Sequence, residues 1–186
     1  MSVGAAVACC ALAAACTSEP APSNTPSPSP PATTPTESQI ERQIRLDYEA
    51  AETAYRASTS EQDRLYRAGS TTKATPVLKA TTTGSYLRIT LQSLRDVHKS
   101  GWHAKGSTKI VGVSRDGGWK PARIGVTSCE DNSSLRFFDR TGADVTPKVE
   151  RRYVQRLTVV KITGRWKVST ANSTRVSSFE GQPCAA

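Results

Sequence analysis

The chain has 186 residues, with 25 Lys+Arg against 16 Asp+Glu. Once a low-complexity start is set aside, about 150 residues remain, enough for one compact domain and too few for a comfortable pair. The positive excess favours anionic partners such as phosphate-rich polymers, anionic lipid headgroups or nucleic acid, or else it is a solvated surface; nucleic acid is disfavoured, because no recognition motif or aromatic–basic platform is present.

Residues 3–15 form an alanine-rich apolar run that ends Leu12-Ala13-Ala14-Ala15-Cys16. The run is too short to span a bilayer as a helix and suits a signal-peptide core. It resembles a bacterial lipoprotein signal, in which a Leu/small/small/Cys box is diacylglycerated on the Cys thiol and cut just before it. The match departs from that pattern in two ways: Leu12 stands four residues before Cys16 rather than three, and no Lys or Arg precedes the run. The resemblance implies that residues 1–15 leave as a signal peptide and that Cys16 is the lipidated N-terminus. The protein is then expected at the extracytoplasmic face of the cell membrane, through a lipid anchor; the alternative is a secreted protein. An exported location also removes the usual nucleic-acid target.

Residues 16–36 are expected to be a disordered tether. Thr17 to Thr36 holds seven prolines among Ser and Thr, with almost nothing apolar to offset the cost of ordering. As polyproline II at about 3.1 Å per residue it reaches on the order of 60 Å. If cleavage removes Cys9 and Cys10, the two remaining unmodified cysteines are Cys129 and Cys184. In an oxidising compartment that parity fits a single disulfide, with two inert buried thiols as the alternative.

Residues 37–186 read as the folded domain. Ile40, Ile44, Tyr48, Ala51, Tyr55 and Ser58 recur at spacings of three and four, one face of an amphipathic helix. Thr36 is the expected N-cap, a break is expected near Ser58-Thr59-Ser60, and Gly69 is the expected stop. A second helical region opens at Thr75-Pro76 and is interrupted at Gly84. It resumes with the stripe Leu87, Leu91, Leu94 and His98, ending before Gly101. Strands follow. Lys109 to Val113 leads to Asp116-Gly117-Gly118 as the hairpin turn, and Ala122, Ile124 and Val126 alternate on the return strand to Cys129. Leu135 to Phe138 is a short strand and Tyr153 to Ile162 a long one rich in β-branched residues. Gly164 turns the chain into a strand beginning Trp166-Lys167-Val168. Helices first and antiparallel strands afterwards give an α+β fold, with N-terminal helices packed on a curved antiparallel sheet.

The order of elements resembles the nuclear transport factor 2-like (cystatin-like α+β) superfamily, in particular small envelope lipoproteins of high-GC Gram-positive bacteria. The carriers are Tyr48-Glu49-Ala50-Ala51 with Ala54-Tyr55-Arg56-Ala57, Leu91-Gln92-Ser93-Leu94 running to Gly101-Trp102, the Gly106 position, Val126-Thr127-Ser128-Cys129-Glu130-Asp131, and Val159 to Ile162 with Gly164 to Val168. The resemblance implies a sheet wrapped into a cone and supports a Cys129–Cys184 bridge. It transfers no function, since the fold hosts isomerases, dehydratases, transport adaptors and assembly modules.

Enzymes on that fold place Asp, His or Tyr in the cone mouth. Asp131, with Glu130 beside it, is the best carboxylate candidate, against the plainer reading of a loop-capping acid. His98 lies on or near the apolar stripe, where a packed histidine is the plainer reading, and His103 reads as a surface residue. Two histidines five apart make a poor metal site, and Ser128 lacks a nucleophile elbow. No catalytic residue, metal or cofactor is assigned. Arg152 and Arg156 share one face of a strand, with Arg151 and Lys161 on the other. Arg123, Lys120, Lys167 and Arg165 fall on strands expected close by, so the candidate contact for a polyanion is Arg152, Arg156, Arg123, Lys120 and Lys167, against a solvated face. The expected function is a lipid-anchored binding or scaffolding module touching anionic lipid or wall polymer, with no protein partner assigned. The alternatives are a small isomerase- or dehydratase-like enzyme using the cone, or an envelope component of a secretion or conjugation assembly.

Overall fold

The computed structural model describes residues 37–184; the signal-like run, Cys16 and the Pro-rich stretch lie outside the described residues. Helix α1 spans Gln39–Arg67. It starts at a capping box: Ser38 N–H donates to Glu41 Oε2 at 2.8 Å, and Glu41 N–H donates to Ser38 Oγ at 3.2 Å. That reciprocal pair makes Ser38, not Thr36, the cap. The expected break at Ser58-Thr59-Ser60 is absent, and α1 runs through it. Ser58 is fully buried and its hydroxyl donates to the Tyr55 carbonyl at 2.8 Å, so its polar group is satisfied inside the helix and packing overrides a weak local propensity.

Helix α2 spans Pro76–Thr81, with Leu78 N–H donating to the Thr75 hydroxyl at 3.3 Å. Helix α3 spans Gly84–Ser100 and closes on Gly101 in the left-handed region, φ +66°. Leu65, Leu78 and Leu94, one from each helix, form a small buried cluster that sets the three helices together.

Strands β1 (His103–Lys105) and β4 (Arg136–Phe138) pair as a small antiparallel sheet. The main sheet is antiparallel in the order β2-β3-β5-β6, from β2 (Lys109–Lys120), β3 (Arg123–Asp131), β5 (Arg152–Ile162) and β6 (Arg165–Val176). The fold is therefore α+β, with the N-terminal helices packed on a curved, cone-like antiparallel sheet. The β2–β3 turn falls later than the glycines suggested. Pro121 and Ala122 make the turn, while Gly117 and Gly118 lie inside β2, where the register shifts between Asp116 and Lys120. The glycine pair is a bulge that strengthens the local bend.

Alternation divides the sheet into two faces. The inner face carries Ile124, Val126, Leu157, Val159, Trp166 and Val168 against Tyr48, Ala51 and Tyr55 of α1. Full burial of each large side chain there contributes about 1.5–3 kcal/mol. Asp47, only 4% exposed, closes one end of this layer. It accepts from Trp119 Nε1 at 2.9 Å, Trp166 Nε1 at 3.2 Å, Lys161 Nζ at 3.3 Å and Gln43 Nε2 at 3.0 Å. Burial pushes its carboxyl pKa up, but the two indoles and the lysine more than reverse that, and it ends below the ordinary value.

Cys129 alternates to the outer face and is joined to Cys184 as a disulfide, Cα atoms 5.5 Å apart. Val154, Val111, Val176 and Phe179 pack around the bridge, so the last segment covers one half of the outer face. The close approach requires Gly112, where an added Cβ would sit 2.0 Å from the Cys184 carbonyl oxygen. By loop entropy a bridge of 55-residue separation stabilises by about 4 kcal/mol.

Replacing Asp47 by alanine leaves two indole N–H groups and a lysine without their acceptor. Asp47→Ala is expected to lower unfolding stability by about 3 kcal/mol in urea titrations, against a change near zero for an exposed acid such as Glu49→Ala.

Candidate functional site

Beyond the apolar layer the inner face does not close on α1. A cavity of about 320 Å³ opens there, between the second half of α1, the start of α3, the ends of β3 and β5, and the loop that follows β4. Its floor is polar. Alternation along β3 places Glu130 on the same inner face as Ile124 and Val126, and register sets it opposite Tyr153. Glu130 is 5% exposed. Tyr55 Oη donates to its Oε1, and Gln155 Nε2 donates to its Oε2 at 2.8 Å. Burial raises its carboxyl pKa above the ordinary value, and the two donated bonds offset only part of the rise. Burial, then the neighbouring Glu130 charge, raises the Tyr55 hydroxyl well above its ordinary value.

Asp63, one α-helical turn beyond Thr59, lies at the cavity's side. It accepts from Thr108 N–H at 2.8 Å and from the Thr108 hydroxyl at 3.0 Å. Burial outweighs these bonds and raises its pKa. Gln62 Nε2 donates to Tyr86 Oη at 3.3 Å. The opposite wall is apolar, with Leu135, Phe137, Pro147 and Val149, and Tyr66 meets Phe137 edge-on with ring centroids 5.4 Å apart. Arg151 reaches the Leu135 carbonyl with its guanidinium, and Arg175 stands exposed at the rim.

The carboxylate singled out from the sequence is not in this cavity. Asp131 alternates to the outer face, where it accepts from Ser133 N–H at 2.8 Å and faces Arg152 Nε at 3.5 Å. It is a loop-capping acid, because one residue along a strand reverses the face. His98 is also outside the cavity. It sits on the exposed end of α3, Nδ1 3.4 Å from the Gly69 carbonyl oxygen, beside His103, Arg67 and Arg140 in a shallow depression. Among the described residues no group of three or more His, Cys, Asp or Glu is placed to hold a metal ion, and no described helix is long and apolar enough to cross a membrane.

The basic residues fall largely where alternation put them. Lys120 opposes Arg123, Arg123 opposes Val160, and Val160 opposes Lys167, so three cations share one row across the outer face. Arg156 opposes Thr127 on the same face, nearer the disulfide. Two of the five are already engaged. Arg152 pairs with Asp131 and Glu150 and donates to the Ser177 carbonyl at 2.9 Å. Lys167 Nζ donates to the Lys79 carbonyl, at the end of α2, at 2.6 Å. Lys120, Arg123 and Arg156 have no ion-pair partner among the described residues and are exposed. Lys161 is on the opposite face, on Asp47.

No protein-family model and no curated protein matches the chain. Solved structures are similar in fold. The intermembrane space region of the chloroplast protein ARC6 aligns at TM-score 0.50 and 16% identity, over 69% of this chain and 96% of that one. Aln2 from a Streptomyces species aligns at TM-score 0.42 and 9% identity, over 70% of this chain and 90% of that one. A de novo designed β-sheet protein aligns at 0.33 and 13%, over 74% and 92%. At these identities the ARC6 domain shares a fold with this chain and nothing more follows; the other two carry no argument.

Glu130 binds its proton more tightly folded than unfolded, so its contribution to stability is full below its ordinary pKa of 4.5 and is lost as the pH rises through the raised native value. Glu130→Gln is expected to flatten that decline. Urea unfolding of both proteins at several pH values from about 4 to 8 checks it.

Proposed function

We propose that this protein is a binding or scaffolding module of the nuclear transport factor 2-like type, lipid-anchored through Cys16 at the extracytoplasmic face of the cell membrane. Its open outer sheet half rests on an anionic envelope surface. The observation that carries this reading is the row of Lys120, Arg123 and Lys167 across three strands, with Arg156 on the same face. Like charges placed directly opposite on neighbouring strands cost stability, and Lys120 opposite Arg123 is such a pair. A polyanion relieves that repulsion. The disulfide and the segment behind it cover the other half of the same face with apolar groups, which leaves the basic half as the exposed part.

The tether expected at residues 16–36 fits the same reading: a proline-rich segment of that composition would keep the domain within reach of the membrane surface, where a weak electrostatic contact would act at high effective concentration. An enzymatic reading has one observation in its favour, the convergence of Glu130 and Asp63 on one cavity. Both carboxyls are already bonded by Tyr55, Gln155 and Thr108, which suits a built wall better than an acid and base waiting for a substrate.

Two measurements test the proposal. Metabolic labelling with a fatty acid is expected to mark the wild-type chain and to fail on Cys16→Ser; equal labelling of both removes the anchor. In vesicle sedimentation, the purified Cys16→Ser chain, which carries no lipid, is expected to bind phosphatidylglycerol-containing vesicles at low salt and to ignore phosphatidylcholine. Arg123→Glu with Arg156→Glu is expected to weaken binding by at least about 30-fold, at about 1 kcal/mol for each cation removed from the surface. Retention of the double variant on the vesicles overturns the lipid contact, and retention of the wild type on purified wall polymer alone moves the contact to the wall.

A further inference from the structure

Four buried side-chain polar atoms have no hydrogen-bond partner among the described residues; Ser114 Oγ and Ser128 Oγ lie elsewhere, while Thr59 Oγ1 and Asn132 Oδ1 belong to residues that line the cavity. Thr59 is 8% exposed. A buried polar group without a partner is costly, and native proteins keep few of them. That two of them line the same cavity points to something in that cavity that supplies their bonds. One offers a hydroxyl, able to donate or accept, and the other an acceptor.

Three of the four charged groups that line the site are engaged, and the fourth, Arg175, stands at the exposed rim. Glu130 is held by Tyr55 and Gln155, Asp63 by Thr108, and Arg151 by the Leu135 carbonyl. Across the lining, two carboxyl groups stand against two guanidinium groups, so neither sign of charge is in excess by residue count. What remains for a ligand is neutral: the Thr59 hydroxyl, the Asn132 amide, and the Tyr86 hydroxyl, whose oxygen accepts from Gln62 and whose proton is left to donate. The facing wall of Leu135, Phe137, Pro147 and Val149 is suited to C–H surface. A volume of about 320 Å³ lies at the small end of ligand sites. We propose that this cavity is a binding site for a small, neutral, polyhydroxylated ligand of about monosaccharide size, hydrogen-bonded by Thr59, Asn132 and Tyr86 and lying with its carbon face on Phe137 and Leu135.

This inference does not depend on the outer basic face or on the anchor, and its test uses neither. The full chain, labelled with ¹⁵N, is titrated to millimolar concentration with glucose, N-acetylglucosamine and myo-inositol as neutral probes, and with glucosamine and glucuronate as matched cationic and anionic ones. At least one neutral probe is expected to shift the Asn132 and Gln62 side-chain amide signals, and to bind tighter than either charged analogue. Thr59→Val and Asn132→Ala are each expected to weaken that probe about tenfold, the loss of one hydrogen bond. Thr59→Val has a second readout. In the ligand-free protein it removes an unpartnered hydroxyl at constant shape, so its melting temperature is expected to match or exceed that of the wild type while binding falls; a hydroxyl that instead bonds within the protein would lower the melting temperature and leave binding unchanged. No shift with any neutral probe, preference for a charged analogue, or unchanged affinity in both variants overturns the proposal.

Discussion

The acceptor set of one buried carboxylate, Asp47, holds the curved sheet to its central helix. Trp119 on β2 and Trp166 on β6 come from opposite edges of the sheet, and both indoles donate to the same group on α1. With Lys161 from β5 they make a charge-assisted knot in which these three donors are fixed by strands, while a fourth, Gln43, comes from α1 itself. Pulling two sheet edges to one point on a helix forces the sheet to wrap. The Gly117-Gly118 bulge supplies the bend that lets β2 bring Trp119 inward.

Two further polar ties are spaced along the same helix. Tyr55 reaches Glu130 on β3, and Asp63 holds Thr108 at the start of β2. Eight residues separate each tie from the next, about 12 Å of helix. Between the first two, apolar side chains fill the space; beyond the second, the wall becomes polar and the cavity opens. The same residues therefore serve as fastening and as floor. Glu130 is tolerated in the interior because Tyr55 and Gln155 bond it.

The two faces of the sheet have been given different work. Inward positions carry the core and the cavity. Outward positions carry the disulfide, the covering C-terminal segment and the cations. Because side chains alternate, the neighbours Glu130 and Asp131 belong to different environments: one is buried and raised in pKa, the other is lowered, first by the bonds from Ser133 and then by Arg152. Proximity in sequence is here the reverse of proximity in space.

Much of this was legible in the chain. The change from three-and-four spacing to alternation at Gly101 marked the helices, the strands and their order, and hence the α+β class. Pro76 and Gly101 marked helix ends, cysteine parity pointed to the pair that is bridged, and alternation placed the cations on one face. Alternation from Ile124 and Val126 also carried the signal that Glu130 points inward, although it was Asp131 that drew attention. Local cues failed where a distant partner decided the outcome. Ser58 to Ser60 continue a helix because the fold buries Ser58 and Thr59, and Gly117-Gly118 bulge rather than turn because Trp119 must reach Asp47. Thr59, Asn132 and Tyr86 had no motif at all, since they come from three elements far apart in the chain. Sequence by itself determined secondary structure and facing, which depend on neighbours a few residues away. Only the tertiary structure decided the cavity and the fastening of α1, because these arise where side chains from distant elements meet in a space that no local pattern encodes.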